Sequence, residues 1–327
     1  MPSLDHLLNA LRAAAESTRL RLVALCAEGE LTVTELTQIL GQSQPRVSRH
    51  LKLLCEAGLL ERYQERTWVF YRLAQPMVSG RLAETLVGLL PADDPTLVRD
   101  RERLDAVKSV RADRAARYFR DNAGRWDEIR ALYVPENEVE AALLAAVGDQ
   151  SIGGLLDIGT GTGRILELLA PRVEHGVGLD LSHEMLEAAR VRLNARALRH
   201  CQVRHGDMYN LPFAADSFDS VVFHMVLHFA DNPLAAMAEA SRVLKPGGRL
   251  LLVDFAPHDQ EFLRDEHAHR RLGFAETEVA AWCETVGIVG AEPIRLPGNP
   301  LTVCLWPATA PNVATLAPRR AQQEDSA

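Results

Sequence analysis

The sequence lacks any hydrophobic run long enough to cross a membrane. It has 327 residues, of which 47% are hydrophobic and 24% charged, and no apolar stretch approaches the ~20 residues that a bilayer-spanning helix needs. It also lacks the basic start of a secretory signal, because Asp5 lies among apolar residues that are spaced as on an amphipathic helix. We therefore expect a cytoplasmic protein with no membrane partner.

Paired cysteines are absent as well. The cysteines are five, widely spaced and without a C-x-x-C motif: Cys26, Cys55, Cys201, Cys283 and Cys304. An odd number of dispersed thiols is typical of reduced core residues in a reducing compartment. We expect no disulfide framework.

A positive net charge is missing from the chain as a whole, but not from one segment. The formal charge of −8 argues against non-specific coating of nucleic acid. Residues 42–72 carry six Lys or Arg against three Glu, and six minus three leaves +3 there. Because the chain is about twice the usual domain size, a basic DNA-binding domain can coexist with an acidic one.

The first 90 residues have the periodicity of a small DNA-binding domain, with apolar residues at helical spacing in successive segments. Gly41 ends one predicted helix, and Ser43 followed by Pro45 begins the next, V-S-R-H-L-K-L-L. This is the layout of a helix-turn-helix. The alternating stretch L-L-E-R-Y-Q-E-R-T-W-V-F-Y-R-L then predicts a hairpin, which completes a winged helix.

The stretch R-L-R-L-V-A-L-C-A-E-G-E-L-T-V-T-E-L, followed by Q-S-Q-P-R-V-S-R-H-L-K-L-L-C-E-A-G-L-L, resembles the ArsR/SmtB family of bacterial transcriptional regulators. The resemblance implies a homodimer, joined through the first and last helices of the domain, that binds an inverted-repeat operator in double-stranded DNA. It also implies DNA contacts from Ser43, Gln44, Arg46, Ser48, Arg49, His50, Lys52, Arg62 and Arg66. A protein-docking module, with Arg49 and Lys52 on a solvated face, is the alternative.

Many metal-sensing members of that family carry Cys-Val-Cys at the start of the first motif helix, where this chain has Thr32-Val33-Thr34. A hydroxyl is a poor ligand for zinc or arsenite, which prefer thiolate or imidazole. The helix after the hairpin offers one carboxylate, Glu84, and no His. We therefore expect no metal site in this domain.

Residues 93–115 are dense in charges of both signs and contain few apolar anchors, which predicts a connecting helix. Beyond Tyr118, predicted strands alternate with predicted helices. The strands are L-L-D-I, V-G-L-D, C-Q-V-R-H, S-V-V-F-H-M and L-L-L-V-D-F. Such alternation indicates an α/β domain with a mostly parallel sheet that is covered on both faces.

Glycines and acids mark a candidate nucleotide site at the ends of these strands. Gly159, Gly161 and Gly163 in L-L-D-I-G-T-G-T-G-R allow a sharp turn and the close approach of a ligand. The acids follow successive strands: Asp157, Asp180 and Asp207. An acid after the second strand can accept ribose hydroxyls, and one after the third can accept the adenine amino group. Arg164 replaces the Gly or Ala of a dinucleotide fingerprint, which disfavours nicotinamide or flavin.

Together with K-P-G-G-R-L ahead of the fifth strand, this pattern resembles class I S-adenosylmethionine-dependent methyltransferases of the ubiquinone-biosynthesis type. The resemblance implies a Rossmann-like, seven-stranded fold that binds S-adenosylmethionine or S-adenosylhomocysteine. It implies cofactor contacts from Asp157, Gly159, Thr160, Gly161, Gly163, Asp180, Leu181, Met185, Asp207, Met208 and Tyr118. Tyr118, Trp126 or Tyr133 could shield the sulfonium, although an aromatic stripe at helical spacing is as often core. Plain turn glycines and helix caps are the alternative.

Candidate general bases lie near the predicted ends of the fourth and fifth strands: His224, His228, Asp254 and His258. Methyl transfer from a sulfonium is a direct displacement, so the protein mainly aligns the reactants. Residues 254–274 are rich in His and acids; a metal, carboxylate or substrate site is conceivable there, but we favour a solvated helix face. Arsenic methylation is disfavoured, since those enzymes rely on several thiols around the acceptor, whereas Cys201 falls on a predicted strand and Cys283 and Cys304 lie far along the chain.

These features predict a winged-helix domain over residues 1–92, a charged linker over 93–115, a methyltransferase domain over 116–307 and a disordered tail over 308–327. The favoured function is a DNA-binding transcriptional regulator whose operator affinity responds to S-adenosylmethionine or S-adenosylhomocysteine. The alternative is an active methyltransferase that acts on a small-molecule acceptor, with the winged helix giving autoregulation. Whether the chain is an enzyme stays open, and a metal sensor is disfavoured.

Overall fold

A computed structural model of the chain describes residues 4–65, 68–74, 78–122, 135–148 and 151–312. Contacts divide the chain into two compact units, Met1–Ala115 and Ala116–Ala327. Within the described residues, no helix is both long and apolar enough to cross a membrane.

The first unit is mainly helical. Its helices are α1 (Leu4–Ala14), α2 (Ser17–Ala27), α3 (Val33–Leu40), α4 (Gln44–Glu56), α5 (Val78–Gly88) and the beginning of α6 (Pro95–Asn122). Its strands are β1 (Leu31–Thr32), β2 (Leu60–Glu65) and β3 (Trp68–Leu73), which pair antiparallel in the order β1-β3-β2. The predicted helix-turn-helix, α3 and α4, and the predicted hairpin, β2 and β3, are confirmed. The short strand β1 was not predicted.

The turn between α3 and α4 follows from its residues. Gly41 ends α3 in the left-handed region at φ +64°, where glycine has no Cβ penalty. Ser43 precedes α4, and Pro45 occupies the first turn, where a backbone N–H has no helical partner. Val47 and Leu51 are buried one turn apart and hold α4 on the core. The opposite side of α4 is therefore left to solvent.

The hairpin is attached to the segment before α3 by a buried acid. Glu30 is 7% exposed and accepts hydrogen bonds from the hydroxyl of Tyr63 and from Nη1 of Arg72, the latter at 3.3 Å. The Arg72 guanidinium also lies 5.1 Å from the centre of the Tyr63 ring, a cation–π contact. Because an unpartnered buried carboxylate is costly, these bonds fix the position of the hairpin.

Helix α6 differs from the predicted linker. The sequence predicted a connecting helix with few apolar anchors over residues 93–115, whereas the helix continues to Asn122. Leu104 and Val107 are buried in the core of the first unit. The beginning of α6 is therefore part of that core.

Charged side chains of α6 are bound to α2 and α3. Arg21 donates two hydrogen bonds to Asp100, at 2.5 and 2.7 Å, and the Asp100 side chain is only 3% exposed. Nη1 of Arg103 donates to the carbonyl of Ile39 in the last turn of α3, at 2.8 Å. These partners are distant in the chain, so the charge pattern alone did not reveal them.

The second unit is built on one sheet. Its strands are β4 (Ile152–Ile158), β5 (Val173–Asp180), β6 (Cys201–His205), β7 (Phe218–His224), β8 (Leu244–Phe255), β9 (Val289–Gly290), β10 (Ile294–Pro297) and β11 (Thr302–Thr309). The order is β10-β11-β8-β7-β4-β5-β6, and β9 pairs with β11. The strands from β8 to β6 are parallel, and β11 is antiparallel to its neighbours. The path has the seven predicted strands, β9 adds a short eighth, and β11 ends two residues beyond the predicted domain boundary at 307.

Helices cover both faces of this sheet. They are α7 (Glu136–Val147), α8 (Arg164–Leu169), α9 (His183–Ala195), α10 (Pro233–Val243), α11 (Phe262–Glu266) and α12 (Glu276–Thr285). Leu156 and Ile158 of β4 pack in a core with α10 and α12, whereas Leu155 packs in a second core with α7 and α8. Because successive side chains of a strand point to opposite faces, the two cores lie on opposite sides of the sheet.

Replacing Asp100 with Asn should destabilise the packing of α6 on α2 by about 2–4 kcal/mol, because Arg21 loses its charged partner while it stays largely buried. Native-state hydrogen exchange of the amides of α2 and α6 in the full chain measures this directly. The control is Asp105→Asn, at an exposed position of the same helix, which should leave exchange unchanged. Equal protection in both variants would contradict the prediction.

Candidate functional site

The loop after β4 has a backbone that favours glycine. The φ angles of Gly159, Gly161 and Gly163 are +72°, +51° and +78°. A Cβ atom at Gly159 would lie 2.3 Å from Cγ2 of Val226, so both the conformation and the available space exclude a side chain there. The predicted tight turn out of β4 is confirmed.

Asp157, near the end of β4, is completely buried. Its Oδ2 accepts a hydrogen bond from Oγ1 of Thr160, at 2.6 Å. This contact links the strand to the glycine loop that follows it. At least one oxygen of Asp157 therefore has a structural role, and its predicted contact with a cofactor stays a prediction.

Asp180, the last residue of β5, joins neighbouring segments. Its Oδ2 accepts the N–H of Gly161 and its Oδ1 accepts the N–H of Ser182, both at 2.8 Å. Burial raises the pKa of Asp180, and these two N–H donors oppose the rise. A carboxylate oxygen can accept more than one bond, so Asp180 retains capacity for a ligand. Beside it, Leu181 is 56% exposed, whereas Met185 is 1% exposed.

Asp207 follows β6 in a short turn. Its Oδ1 accepts the N–H of Tyr209 at 3.0 Å, and the neighbouring Met208 packs against the core. Strands β4, β5 and β6 are adjacent and parallel. The structure therefore brings Asp157, Asp180 and Asp207 to the same, carboxyl edge of the sheet.

Arg164, which departs from the dinucleotide fingerprint, is held by carboxylates. It donates two hydrogen bonds to Glu140, at 2.6 and 2.7 Å, and one to Glu167, at 2.9 Å. Hydrogen bonding to Glu140 raises the pKa of Arg164 despite its partial burial. These residues line an open groove of about 650 Å³ between α7, α8 and α9, which contains none of the predicted site residues. We place no cofactor there.

A His–Asp pair lies where β7 and β8 end. Nδ1 of His228 is 2.8 Å from Oδ1 of Asp254, and these two residues are 2% and 0% exposed. Oδ2 of Asp254 accepts the backbone N–H of His228, and its Oδ1 accepts that of Phe255. Because both oxygens act as acceptors, we assign the proton of the ring to Nδ1 of His228 and the lone pair to Nε2. That nitrogen can accept a proton.

Two further histidines surround this pair. The His269 ring stacks on His228 with centroids 4.0 Å apart, and His258 lies edge-on to Phe255 at 5.5 Å. Burial lowers the pKa of His258 to about 4 and that of His269 well below its usual value, and His228 adds to both shifts. Both rings are neutral at pH 7. Nε2 of His258 and Nδ1 of His269 are buried without a hydrogen-bond partner in the described part of the chain.

The predicted solvated helix face over residues 254–274 is wrong. Only Phe262–Glu266 is helical in that stretch, and Arg264 and Arg271 are buried. Internal partners make this possible, since Arg271 pairs with Glu278 at 2.9 Å. Where the structure is described, no group of His, Cys, Asp or Glu is arranged to hold a metal ion.

The remaining predicted site residues of the second unit are His224 and three aromatic residues. His224, the last residue of β7, is 7% exposed. The Tyr118 hydroxyl lies 2.7 Å from Nδ1 of His267. Trp126 and Tyr133 lie outside the described residues. Roles for His224 in catalysis and for Tyr118 in cofactor binding stay predictions.

Of the predicted DNA-contacting residues that the structure describes, Ser43 precedes α4, Arg62 lies on β2 and the others lie on α4. Ser43, Gln44, Arg46, Arg49, Lys52 and Arg62 are exposed, and Ser48 and His50 are half-buried. Two of them contact acids of the same unit: Nζ of Lys52 is 3.7 Å from Glu56, and Nδ1 of His50 is 3.6 Å from Glu16. Arg66 lies outside the described residues. The contacts of these residues with DNA stay a prediction.

Thr32 has a structural role at the position where metal sensors carry a cysteine. Its Oγ1 accepts the N–H of Glu35 at 3.3 Å, and the Glu35 carboxylate accepts the N–H of Thr32 at 2.8 Å. This is a capping box that begins α3. Thr32 is 5% exposed, whereas Thr34 is exposed.

Comparison with known proteins identifies the first unit. The sequence pattern of bacterial regulatory proteins of the arsR family matches residues 16–62. The arsenic resistance transcriptional regulator ArsR1 of Pseudomonas putida is 45% identical over 91 residues, which are 28% of this chain and 70% of that protein. The chain belongs to the arsR family of bacterial regulatory proteins.

The second unit of this arsR-family chain contains a methyltransferase domain. The sequence pattern of that domain family matches residues 156–252. The ubiquinone/menaquinone biosynthesis C-methyltransferase UbiE of Desulfotalea psychrophila is 36% identical over 140 residues, 41% of this chain and 55% of that protein. The chain spans about half the length of the curated methyltransferase relatives it matches. Among solved structures, a similar fold occurs in a chain of the complex between the Haloferax volcanii Trm112 methyltransferase activator and a methyltransferase. The TM-score is 0.51 and the sequence identity is 20%, and the match covers 59% of this chain and 98% of that one.

The stacking of His269 on His228 was not predicted, although the density of His and acids in residues 254–274 had indicated a metal, carboxylate or substrate site there as the less favoured interpretation. This stacking joins segments that are far apart in the chain, and no local pattern predicts such a contact.

The neutral histidines should make the second unit sensitive to acid. Below about pH 6.5 an unfolded His binds a proton, whereas His269 in the folded state does not. Its contribution to stability is therefore present above that pH and is lost as the pH falls. Thermal unfolding measured from pH 7 to pH 4.5 should show a smaller loss for His269→Phe than for the unchanged chain. The control, His175→Gln at an exposed position, should follow the unchanged chain; parallel curves for all three would contradict the assignment.

Proposed function

We propose that the chain is a cytoplasmic transcriptional regulator whose affinity for operator DNA changes when S-adenosylmethionine or S-adenosylhomocysteine binds to its methyltransferase domain. The observation that supports this most is the convergence of Asp157, Asp180 and Asp207 at one edge of a methyltransferase sheet. The same chain carries an arsR-family helix-turn-helix whose usual cysteine position is used as a helix cap. Sensing is thereby assigned to the second unit.

The residues at the carboxyl edge of the sheet fit an adenosyl group. The loop from Gly159 to Gly163 offers a backbone without side chains, and a Cβ at Gly159 has no room. Asp180 retains acceptor capacity for ribose hydroxyls, and the exposed Leu181 beside it offers an apolar surface to a purine ring. Asp207 lies one strand further, where an acceptor for the adenine amino group is expected. When bound, S-adenosylmethionine supplies an electrophilic methyl group, which S-adenosylhomocysteine lacks.

Operator recognition is assigned to the exposed side of α4. Gln44, Arg46 and Arg49 can donate to base edges or phosphates in a major groove, and Arg62 on β2 can reach the backbone. We also propose a homodimer through α1, because Leu4 and other leucines of that helix are exposed, Leu4 at 72%. A two-fold dimer explains binding to an inverted repeat.

Suppose that the chain has two conformations that differ in their affinity for DNA. A ligand can change the DNA affinity only if it binds one of these conformations more tightly than the other. Couplings of this kind typically amount to 1–3 kcal/mol, or about 5–150-fold in affinity. The effect must be reciprocal, so operator DNA should change the affinity for the nucleoside by the same factor.

A second candidate function, methyl transfer to a small molecule, is favoured by the buried His228–Asp254 pair. A pair in which the acid fixes the ring tautomer and leaves Nε2 as a proton acceptor is what a general base requires. A pure sensor has no need for it. In this function the arsR-family unit provides autoregulation.

The coupling is tested with an inverted-repeat operator selected from random DNA by the purified chain. By fluorescence anisotropy at fixed salt, the operator Kd should change by about 5–150-fold when either nucleoside is added. Asp180→Asn should keep the ligand-free Kd and lose this change, because the amide replaces one acceptor oxygen by a donor. Glu187→Gln, exposed on α9, is the matched control and should respond normally. An operator Kd that neither nucleoside changes would rule out the proposed coupling between the two units.

The second function is tested by transfer of a labelled methyl group from S-adenosylmethionine to a panel of small acceptors. His228→Gln should lower the rate by about 10²–10⁴-fold, which is the usual contribution of a general base, while calorimetry shows that the nucleoside still binds. The exposed control His175→Gln should keep its rate. A chain that binds the cofactor but labels no acceptor would leave sensing as the remaining function.

A further inference from the structure

Helix α6 belongs to both compact units. It continues without a break from Pro95 to Asn122, whereas the division between the units falls between Ala115 and Ala116. A continuous helix is stiff, because its backbone N–H groups bond to carbonyls four residues earlier along its whole length. A displacement of one end of α6 is therefore transmitted to the other end.

The part of α6 in the first unit holds both ends of α3, the first helix of the helix-turn-helix. Nε of Arg111 donates to Oε1 of Glu35 at 2.8 Å, and Oε2 of that carboxylate accepts the backbone N–H and the hydroxyl of Thr32. At the other end of α3, Nη1 of Arg103 donates to the carbonyl of Ile39 at 2.8 Å. A displacement of α6 therefore acts on the helix that precedes the predicted DNA-contacting helix α4.

The last turns of α6 pack within the second unit, beside the candidate base. The hydroxyl of Tyr118 lies 2.7 Å from Nδ1 of His267. The ring of Phe119 is edge-on to that of Phe229, with centroids 4.8 Å apart, and Phe229 directly follows His228 in the sequence. The end of α6 is thus in contact with the segment that carries the candidate base.

Hydrogen bonds also connect the end of α6 to the carboxylate proposed to bind ribose. Nε of Arg120 donates to Oε1 of Glu184 at 3.3 Å, and Oε2 of Glu184 accepts the hydroxyl of Ser182 at 3.1 Å. The backbone N–H of Ser182 donates to Asp180 at 2.8 Å, and Ser182 caps α9. A ribose bound to Asp180 therefore acts on the first turn of α9, which holds the partner of Arg120.

The two attachments of α6 differ in strength. The side chains of Arg120 and Glu184 are 58% and 42% exposed, and exposed ion pairs contribute little to stability. Those of Arg111 and Glu35 are both only 18% exposed. The end of α6 in the second unit is therefore released more easily than the part in the first unit, and its release does not require either unit to unfold.

We infer that α6 carries the coupling between nucleoside and operator. The bound nucleoside orders the first turn of α9 and so holds the last turns of α6, and without nucleoside these turns are released more often. Arg103 and Arg111 pass the difference to α3. The inference rests on the proposed function and deepens it, because it names the element through which the nucleoside regulates DNA binding.

The first test interrupts α6 between its two groups of contacts. Fluorescence anisotropy gives the factor by which S-adenosylhomocysteine changes the operator Kd, about 5–150 in the unchanged chain. Ala116→Pro should reduce this factor to about 1, because proline breaks a helix interior, and Ala116→Gly should reduce it in part. The matched control Ala106→Gly, exposed in the same helix but outside the connecting segment, should keep the factor. An unchanged factor in Ala116→Pro would overturn the inference.

The second test breaks the exposed ion pair and does not depend on the proline variant folding. Arg120→Gln and Glu184→Gln should each lower the factor by about 1.5–5-fold, the usual strength of such a pair. The double variant should lower it no further than one single variant, because each already breaks the same bond. Arg199→Gln, which removes the same charge at an exposed position, should leave the factor unchanged. Losses equal to that of this control would contradict a role for the pair.

Hydrogen exchange gives a readout that needs no DNA. S-adenosylhomocysteine should slow the exchange of the amides of residues 117–122 by at least about fivefold, the lower end of such couplings. Asp180→Asn should show no slowing, because the amide replaces an acceptor oxygen by a donor. Exchange in these turns that the nucleoside does not change would overturn the inference.

Failure of this inference and failure of the proposed function give different results. Calorimetry reports nucleoside binding, and the operator Kd of the unchanged chain reports the coupling. A coupling that Ala116→Pro and Arg120→Gln both retain removes only the role of α6 and leaves the regulator intact. An operator Kd that the nucleoside does not change in the unchanged chain removes the proposed function, and this inference with it.

Discussion

The bond from the Gly161 N–H to the Asp180 carboxylate is the contact on which the candidate cofactor edge depends. Parallel strands bring the ends of β4 and β5 together, but they do not fix the loop between them. Asp180 does so, because it also accepts the N–H of Ser182, which caps α9. Since burial raises the pKa of this acid, the N–H donors are what favour its ionised form. One carboxylate therefore shapes the loop and remains available to a ligand.

The capping box of Thr32 and Glu35 explains how an arsR-family domain can keep its fold without a thiol site. A threonine at the N-cap stabilises a helix by about 1 kcal/mol relative to an apolar residue, and its partner Glu35 also pairs with Arg111 of α6. The start of α3 is thus held from two directions. Cysteine at this position would lose the cap, so the hydroxyl has a structural reason to be there that is independent of sensing.

The elements that local patterns determine were predictable, and those that depend on distant partners were not. The strands of the second unit followed from apolar runs, and the turn at Gly41 from its backbone requirement. The burial of α6 depends on Asp100 meeting Arg21, and that of residues 254–274 on Arg271 meeting Glu278. A high density of charged residues normally indicates a segment exposed to solvent. These segments are buried because their charged side chains find partners that are distant in the sequence. The same holds for the site, where the acids at strand ends were predictable and the stacking of His269 was not.

The sheet order unites the two groups of candidate residues. From β4 the chain proceeds to β5 and β6 on one side and then to β7 and β8 on the other, so the order reverses between β4 and β7. Ligands of open α/β sheets bind in the crevice at such a switch point. Gly159, after β4, has its Cα against Val226, after β7, with no room for a side chain, and His228 lies two residues further on. The acids of β4 to β6 and the His228–Asp254 pair therefore share one carboxyl edge, which is the arrangement that a donor and an acceptor site on one sheet require.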